Sequence, residues 1–111
     1  MRLSYAIKYV ANMDQAVAFH RDKLGLELRF QSPFWSEFAT GETTLALHGA
    51  SPEHAAGSVQ LGFGSDDLAD FYGRREQLGI DFTQPPTEMH GVHIARFLDI
   101  DGAETSVSGP V

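Results

Sequence analysis

Leu24-Gly25-Leu26-Glu27-Leu28 recurs 54 residues further along the chain as Leu78-Gly79-Ile80-Asp81-Phe82. In both copies an amphipathic helical pattern ends at Leu-Gly, and an alternating pattern typical of a strand follows at once. A second pair of stretches, 44–49 and 104–109, lies 60 residues apart, and each has a strand pattern that ends in glycine. Repetition on this scale indicates a duplicated supersecondary unit. We therefore predict two copies of one unit, each with a strand, a helix and three further strands.

Hydrophobic periodicity and turn residues place the elements of both copies. The first copy has a strand at 4–10, a helix capped by Asn12 or Asp14 and stopped by Gly25, and strands at 26–30, 34–40 and 43–48. The second has a strand at 58–64, a helix capped by Asp66 or Asp67 that runs to Leu78, a short strand at 81–83, a loop at 84–90, and strands at 92–98 and 104–108. We interpret the chain 1–111 as one domain, with modules at 1–49 and 57–111 and a linker at 50–56.

Composition restricts the classes of function. The chain has 42% hydrophobic and 21% charged residues, which is typical of a soluble globular protein, and no apolar run reaches the roughly 18 residues of a membrane span. Fifteen acidic and eight basic residues give a net charge of -7, which repels phosphate backbones. We therefore expect neither nucleic acid nor a membrane as a partner.

The chain contains no cysteine, which excludes disulfides, thiolate catalysis and cysteine-bound zinc. It opens directly on the first predicted strand, without a leader of the secretory type, so we expect a cytoplasmic location. No serine lies in a nucleophile elbow, and no glycine-rich loop has phosphate-binding spacing, which disfavours acyl-enzyme and nucleotide chemistry.

Two motifs resemble those of the vicinal oxygen chelate superfamily, which includes glyoxalase I, the bleomycin resistance proteins and the extradiol dioxygenases. The segment 18–26, Ala-Phe-His-Arg-Asp-Lys-Leu-Gly-Leu, is similar to the family's FYRDxLGL helix end, and 96–102, Arg-Phe-Leu-Asp-Ile-Asp-Gly, to its FxDPDG turn. The departures are His20 for tyrosine and Ile100 for proline. The resemblance implies an α+β fold of two βαβββ modules, with a curved mixed sheet that forms a cup and helices outside it. It also implies a homodimer, because open sheets in this family commonly cover their edges by pairing subunits, and a small core benefits from added burial.

The resemblance further implies up to four metal ligands, one on the first and one on the last strand of each module. Those positions hold Tyr5, Ala46, Gln60 and Ser106, and the repeat offsets give the same correspondence. A divalent metal favours imidazole, carboxylate or thiolate donors, whereas this set offers a phenol, a methyl, an amide and a hydroxyl. Ionising Tyr5 at neutral pH would by itself cost about 4 kcal/mol. We therefore expect no metal cofactor. An alternative site would use His48 with Glu37 or Glu104.

Period-two alternation selects the side chains that face the predicted cup. The strand positions concerned are Tyr5, Ile7, Thr44, Ala46, His48, Gln60, Gly62, Ile94, Arg96, Ser106 and Ser108, with Trp35 and Glu37 added from the third strand. From these we select as ligand-binding candidates Tyr5, Trp35, Glu37, His48, Gln60, Arg96 and Ser106. The mixed apolar and polar lining suits a small molecule. No residue is assigned a catalytic role.

Four of these candidates also have a structural interpretation. A guanidinium in a concave sheet needs an anion, so Arg96 either binds a carboxylate or phosphate of the ligand or pairs with Glu37 or Glu104. His48 serves as a general base or donor, or is a satisfied histidine at a strand end. Tyr5 and Trp35 stack on a ligand ring, or fill the core or a dimer interface.

The remaining histidines are weaker candidates. His90 and His93 are three residues apart and so lie on opposite faces of a strand, which argues against a metal pair. We expect His20 to be partly buried under the sheet and His54, in the linker, to be solvated.

Our leading hypothesis is a metal-independent protein of the glyoxalase and bleomycin-resistance type that binds an aromatic or anionic compound in the cup. The alternative is a metal-dependent lyase or isomerase of the glyoxalase type, with its metal at His48. A third class is an accessory protein whose cup serves only to build a dimer.

Overall fold

The computed structural model describes residues 1–111, which form two compact units. The N-terminal unit consists of Ser4–Val59, and the C-terminal unit consists of Gln60–Val111 together with Met1–Leu3. Eight strands alternate with helices in the predicted order of strand, helix and three strands, twice over. The predicted α+β class with two βαβββ modules is therefore confirmed. The cup-like curvature of the sheet and the division into one domain with a linker stay predictions.

The N-terminal unit is built on four strands. Its elements are β1 (Arg2–Val10), α1 (Met13–Ala18), a π-helical segment (Phe19–Lys23), β2 (Glu27–Phe30), β3 (Trp35–Ala39) and β4 (Thr44–Gly49). The strand order is β2-β3-β4-β1, in which β1 runs parallel to β4 and the other pairs are antiparallel.

The helix of this unit begins where the sequence predicts. Asn12 caps α1, since its side-chain oxygen accepts a hydrogen bond from the Gln15 amide at 3.0 Å. On one face of the sheet Val10, Phe38 and Leu47 pack with Val17 of α1 to form the core. His20 is buried in the π-helical segment, and its Nδ1 lies 2.7 Å from the carbonyl oxygen of Ala16, so its predicted burial is confirmed.

The C-terminal unit repeats this plan. Its elements are β5 (Val59–Gly64), α2 (Leu68–Gly73), α3 (Arg75–Leu78), β6 (Phe82–Met89), β7 (Val92–Leu98) and β8 (Glu104–Ser108), with strand order β5-β8-β7-β6. Here β5 and β8 are parallel, as β1 and β4 are. The core of this unit consists of Leu68, Ala95 and Val107, with four partly buried phenylalanines packed against them.

The two copies of the Leu-Gly repeat end their helices in the same way. Gly25 has φ +70 and Gly79 has φ +69, so both lie in the left-handed region that favours glycine. In each case the chain leaves the helix through this residue and enters the next strand within three residues. The repeat in the sequence thus encodes a repeated helix-to-strand turn.

Two predictions in the C-terminal unit are wrong. The predicted helix to Leu78 is divided at Arg74 into α2 and α3. The predicted loop 84–90 belongs largely to β6, which continues through Pro85 and Pro86 to Met89. Proline lacks the amide that a central strand needs, but β6 is an edge strand, and its register with β7 shifts where the prolines lie.

No helix of the chain is both long enough and apolar enough to cross a bilayer.

Candidate functional site

The candidate residues of the N-terminal unit share the sheet face opposite its helix, which we call the open face. In the register of the strands Trp35 pairs with His48, and His48 with Tyr9. Glu37 pairs with Ala46, and Ala46 with Ile7. Directly paired residues project to the same side of a sheet, so the alternation places Tyr5, Trp35, Glu37 and His48 together on this face.

Aromatic rings cover this face. The Tyr5 and Trp35 ring centroids lie 6.1 Å apart with a tilt of 59°, and the His48 ring meets Trp35 edge-on at 5.8 Å. Both distances are typical of favourable aromatic pairs. Tyr5 and Trp35 are half-buried and belong to neither core cluster, so they do not fill the core. Each ring therefore retains surface that a planar or cationic group could contact.

Glu37 is fixed by the tryptophan beside it. The indole Nε1–H of Trp35 donates a hydrogen bond to Glu37 Oε2 at 2.7 Å, and Glu37 takes part in none of the four ion pairs of the structure. Burial, and then the negative charge of Glu37, raise the pKa of the Tyr5 phenol above its ordinary value. Tyr5 therefore stays a neutral phenol beside a carboxylate.

His48 has one ring nitrogen engaged and one available. Its Nδ1 lies 2.8 Å from the backbone oxygen of Gly49, and since a carbonyl only accepts, this nitrogen carries the proton and donates. In the neutral ring Nε2 then keeps its lone pair, and the side chain is exposed at the end of β4. The geometry accommodates both interpretations of His48, as a satisfied strand-end histidine and as an acceptor or base.

His54 corrects one prediction, because it is stacked and not solvated. Its ring lies 4.3 Å from the ring of Tyr9 with an angle of 11° between the planes, and His48 contacts Tyr9 from 5.1 Å. The segment around it is held to β1, since Gly57 donates to the Tyr9 carbonyl and Ala50 to that of Val10. Because both ends of this loop are hydrogen-bonded to β1, the His54 side chain is held in place, although the composition of the loop predicts a solvated residue.

Tyr9 is the residue that the site prediction omitted. Its alternation with Tyr5 and Ile7 places it on the open face, and that signal is present in the sequence. The stacking of His54 on it depends on the path of the loop, for which the sequence has no comparable signal.

The C-terminal unit contains the other candidates in one row across its strands. Gly62 pairs with Ser106, Ser106 with Arg96, and Arg96 with Gln84, so these residues lie on the face opposite the core of this unit. Gln60 precedes Gly62 by two residues and is buried.

Arg96 makes no ion pair and no side-chain hydrogen bond. Glu104 instead accepts a hydrogen bond from the Thr83 hydroxyl at 3.1 Å, and Glu37 accepts one from Trp35. Within the C-terminal unit the predicted alternative, an ion pair of Arg96 with Glu104, is therefore wrong. A half-buried guanidinium without a carboxylate partner retains its full capacity for an anion.

The residues at the implied metal positions do not fit a metal. Ala46 has no donor atom and is fully buried, and the raised pKa of Tyr5 makes its phenolate less accessible. Gln60 and Ser106 supply only neutral oxygens, which bind first-row metals weakly. No group of three or more His, Asp or Glu side chains lies close enough together to hold an ion.

His90 and His93 form no such group either. His90 lies in the turn between β6 and β7 with φ 54, whereas His93 lies within β7 opposite Glu88.

Two concavities lie away from the seven candidates. One of ≈ 470 Å³ lies between the start of α1 and the turn from β2 to β3. The other, of ≈ 400 Å³, lies at the ends of β7 and β8 and includes Ser108, which belonged to the predicted lining. The candidate residues thus form surfaces on the sheet and do not line either concavity.

Two βαβββ units, each with polar side chains on the sheet face opposite its core, define a class of proteins built from a duplicated module. The chain belongs to the Glyoxalase/Bleomycin resistance protein/Dioxygenase superfamily, whose family model matches residues 2–107. The resemblance noted from the two sequence motifs is thereby confirmed.

Solved structures show the same fold at low sequence identity. Protein BH1468 from Bacillus halodurans C-125 is 12% identical with a TM-score of 0.81, over 99% of this chain and 94% of that one. Methylmalonyl-CoA epimerase from Streptomyces coelicolor is 17% identical with a TM-score of 0.80, over 100% and 98%. A glyoxalase/bleomycin resistance protein/dioxygenase superfamily member from Vibrio splendidus 12B01 is 16% identical with a TM-score of 0.70, over 99% and 98%. No curated protein matches the sequence.

Proposed function

We propose that this chain is a metal-independent small-molecule-binding protein of the glyoxalase and bleomycin-resistance type. Its ligand is aromatic or anionic. In the N-terminal unit Tyr5 and Trp35 are the proposed contact for a ring, and in the C-terminal unit Arg96 is the proposed contact for an anion. The observation that carries the proposal is the group of rings on the open face of the N-terminal unit, which lie at pairing distance but outside the core.

Binding energy on such a surface comes from ring contact and from a few oriented polar groups. An aromatic pair contributes about 0.5–1.5 kcal/mol beyond its buried area. Arg96, which has no partner within the protein, adds a charge-assisted contact to a carboxylate or phosphate. Ser106, its neighbour in the register, offers a hydroxyl donor to the same anion, whereas the Gln84 amide already donates to the Ile94 carbonyl at 3.2 Å.

The metal-dependent lyase or isomerase stays the less favoured alternative. It needs a set of strong donors, but the residues at the family positions are an alanine without a donor atom, a half-buried phenol, an amide and a hydroxyl. Metal analysis of protein purified without chelator separates the two functions. Stoichiometric zinc, nickel, iron or manganese would contradict the metal-independent proposal.

Trp35 provides the direct test of binding, because it is the only tryptophan in the chain. Titration with uncharged benzamide should change its fluorescence in a saturable manner, and calorimetry with benzoate should detect binding of the anion. Replacing Arg96 by glutamine should weaken benzoate about tenfold or more, since hydrogen bonds to charged groups contribute about 1.5–3 kcal/mol. Benzamide should be unaffected by that change.

The matched control is Arg29→Gln, which removes an equal charge from an exposed position on β2. Equal loss of benzoate binding in both variants would contradict a role of Arg96 as the anion contact. Failure of a broad set of aromatic and anionic compounds to bind would contradict the proposal as a whole.

A further inference from the structure

We propose that Tyr5, Trp35 and Glu37 form a subsite for an organic cation, so that the ligand bears a protonated or quaternary amine. This inference rests on the proposed small-molecule binding and specifies the chemistry of the group that meets the open face.

Glu37 lacks a cationic partner within the protein. One carboxylate oxygen accepts from the Trp35 indole at 2.7 Å, and the other makes no hydrogen bond and no ion pair. The side chain is half-buried on β3. A carboxylate that is partly withdrawn from water needs a hydrogen-bonding or charged partner, and an ammonium group supplies both.

The two rings beside this carboxylate favour the same charge. The negative face of an aromatic ring attracts a cation within about 6 Å of its centroid, most strongly for tryptophan. Tyr5 and Trp35 lie 6.1 Å apart with a tilt of 59°, so their faces are not closed against each other. Glu37 lies beside both rings, since it binds the indole and its charge acts on the Tyr5 phenol.

On the three strands β1, β3 and β4 the open face contains no lysine or arginine that would favour an anion. Along β1, β3 and β4 its side chains are Tyr5, Ile7, Tyr9, Trp35, Glu37, Ala39, Thr44, Ala46 and His48. None is a lysine or an arginine. The net charge of -7 also favours the approach of a cation over long range. On these strands an anionic group would approach a carboxylate with no compensating charge, and Arg29 of the neighbouring β2 is already paired with Glu27 at 3.8 Å.

The test compares three probes that share one ring and differ in charge: benzylammonium, benzyl alcohol and benzoate. Calorimetry and Trp35 fluorescence should show that benzylammonium binds roughly 2- to 30-fold more tightly than benzyl alcohol. The Glu37→Gln variant should show a clearly smaller preference, because the amide still accepts the indole hydrogen bond but carries no charge, and only the two rings then attract the cation. Glu42→Gln, in the exposed turn before β4, is the matched control and should keep it.

Thermal unfolding of each variant verifies that the fold is retained. Equal affinity for benzylammonium and benzyl alcohol would overturn the cation subsite, as would an undiminished preference in Glu37→Gln. Either outcome would leave aromatic binding intact. Absence of binding by all three probes would instead count against the proposed function itself.

Discussion

The pKa of Tyr5 depends on the burial and the charges of the open face. Burial, and then Glu37, raise its pKa above the ordinary value of 10.0. Glu37→Gln removes the second cause, so the pKa should fall toward the ordinary value without reaching it. Titration of the phenolate absorbance, with Tyr5→Phe to identify the signal, measures this shift.

The same shift predicts a pH dependence of stability. Because the folded pKa is raised, Tyr5 contributes stability that is complete below pH 10.0 and is lost as the pH rises through the folded value. Urea denaturation above this pH should therefore show a smaller loss for Tyr5→Phe than for the native chain. If the pKa of Tyr5 is the same in Glu37→Gln as in the native chain, the charge of Glu37 does not contribute to the raised pKa.

Phe38 and Phe34 give a matched pair for the core. Phe38 is fully buried in the N-terminal core, whereas Phe34 is 76% exposed just before β3. Phe38→Ala should lower the free energy of unfolding by about 3–5 kcal/mol, because it leaves a cavity as well as losing burial. At protein concentrations low enough for the monomer, Phe34→Ala should change it by no more than about 0.5 kcal/mol. Denaturant unfolding of both variants checks the difference.

Single residues differ in how well the sequence reveals their surroundings. Alternation correctly places Trp35, Glu37 and His48 on one face, because strand periodicity is a local property. The stacking of His54 on Tyr9 and the lack of a partner for Arg96 depend on contacts between distant segments. Local sequence patterns do not predict which distant segments come into contact.

At the scale of the elements, the repeated glycines test whether the helix-to-strand turn is essential. Gly25 and Gly79 both have positive φ, which costs other residues roughly 1–2 kcal/mol. Gly25→Ala and Gly79→Ala should each destabilise the protein by about that amount. The loss should be similar in the two copies because their angles are nearly equal.

Gly73 provides the control for these variants. It lies at the end of α2 without positive φ, and an added Cβ would meet no atom within 4 Å. Gly73→Ala should therefore be neutral or stabilise by up to about 1 kcal/mol, since alanine restricts the unfolded chain. Equal destabilisation by all three substitutions would contradict the conformational explanation.

The elements also show where prediction from sequence stops. The bounds of β7 and β8 match their predicted ranges, because each is a short apolar alternation between clear turns. The prediction failed at β6, where Pro85 and Pro86 were interpreted as loop residues. Whether proline is tolerated depends on whether the strand lies at an edge, and that is a property of the sheet.

For the whole molecule, the duplicated pattern was enough to predict two βαβββ modules, since each half repeats the same order of local signals. The assembly of the molecule is a separate question. A chain of this size buries only roughly 60–68% of its unfolded surface, so a second copy would add burial that the core lacks.

We predict a homodimer on the basis of the exposed edge of the N-terminal unit. Strand β2 pairs only with β3, which leaves one row of backbone groups unpaired, and Phe30 and Phe34 beside it are 53% and 76% exposed. Sedimentation over a series of concentrations should show dimers, and Phe34→Asp should shift the equilibrium toward monomers. Ile100→Asp, at a fully exposed turn, is the control and should leave the dimer intact. A monomer at the highest concentration would contradict the prediction, and a dimer insensitive to Phe34→Asp would place the interface on another surface.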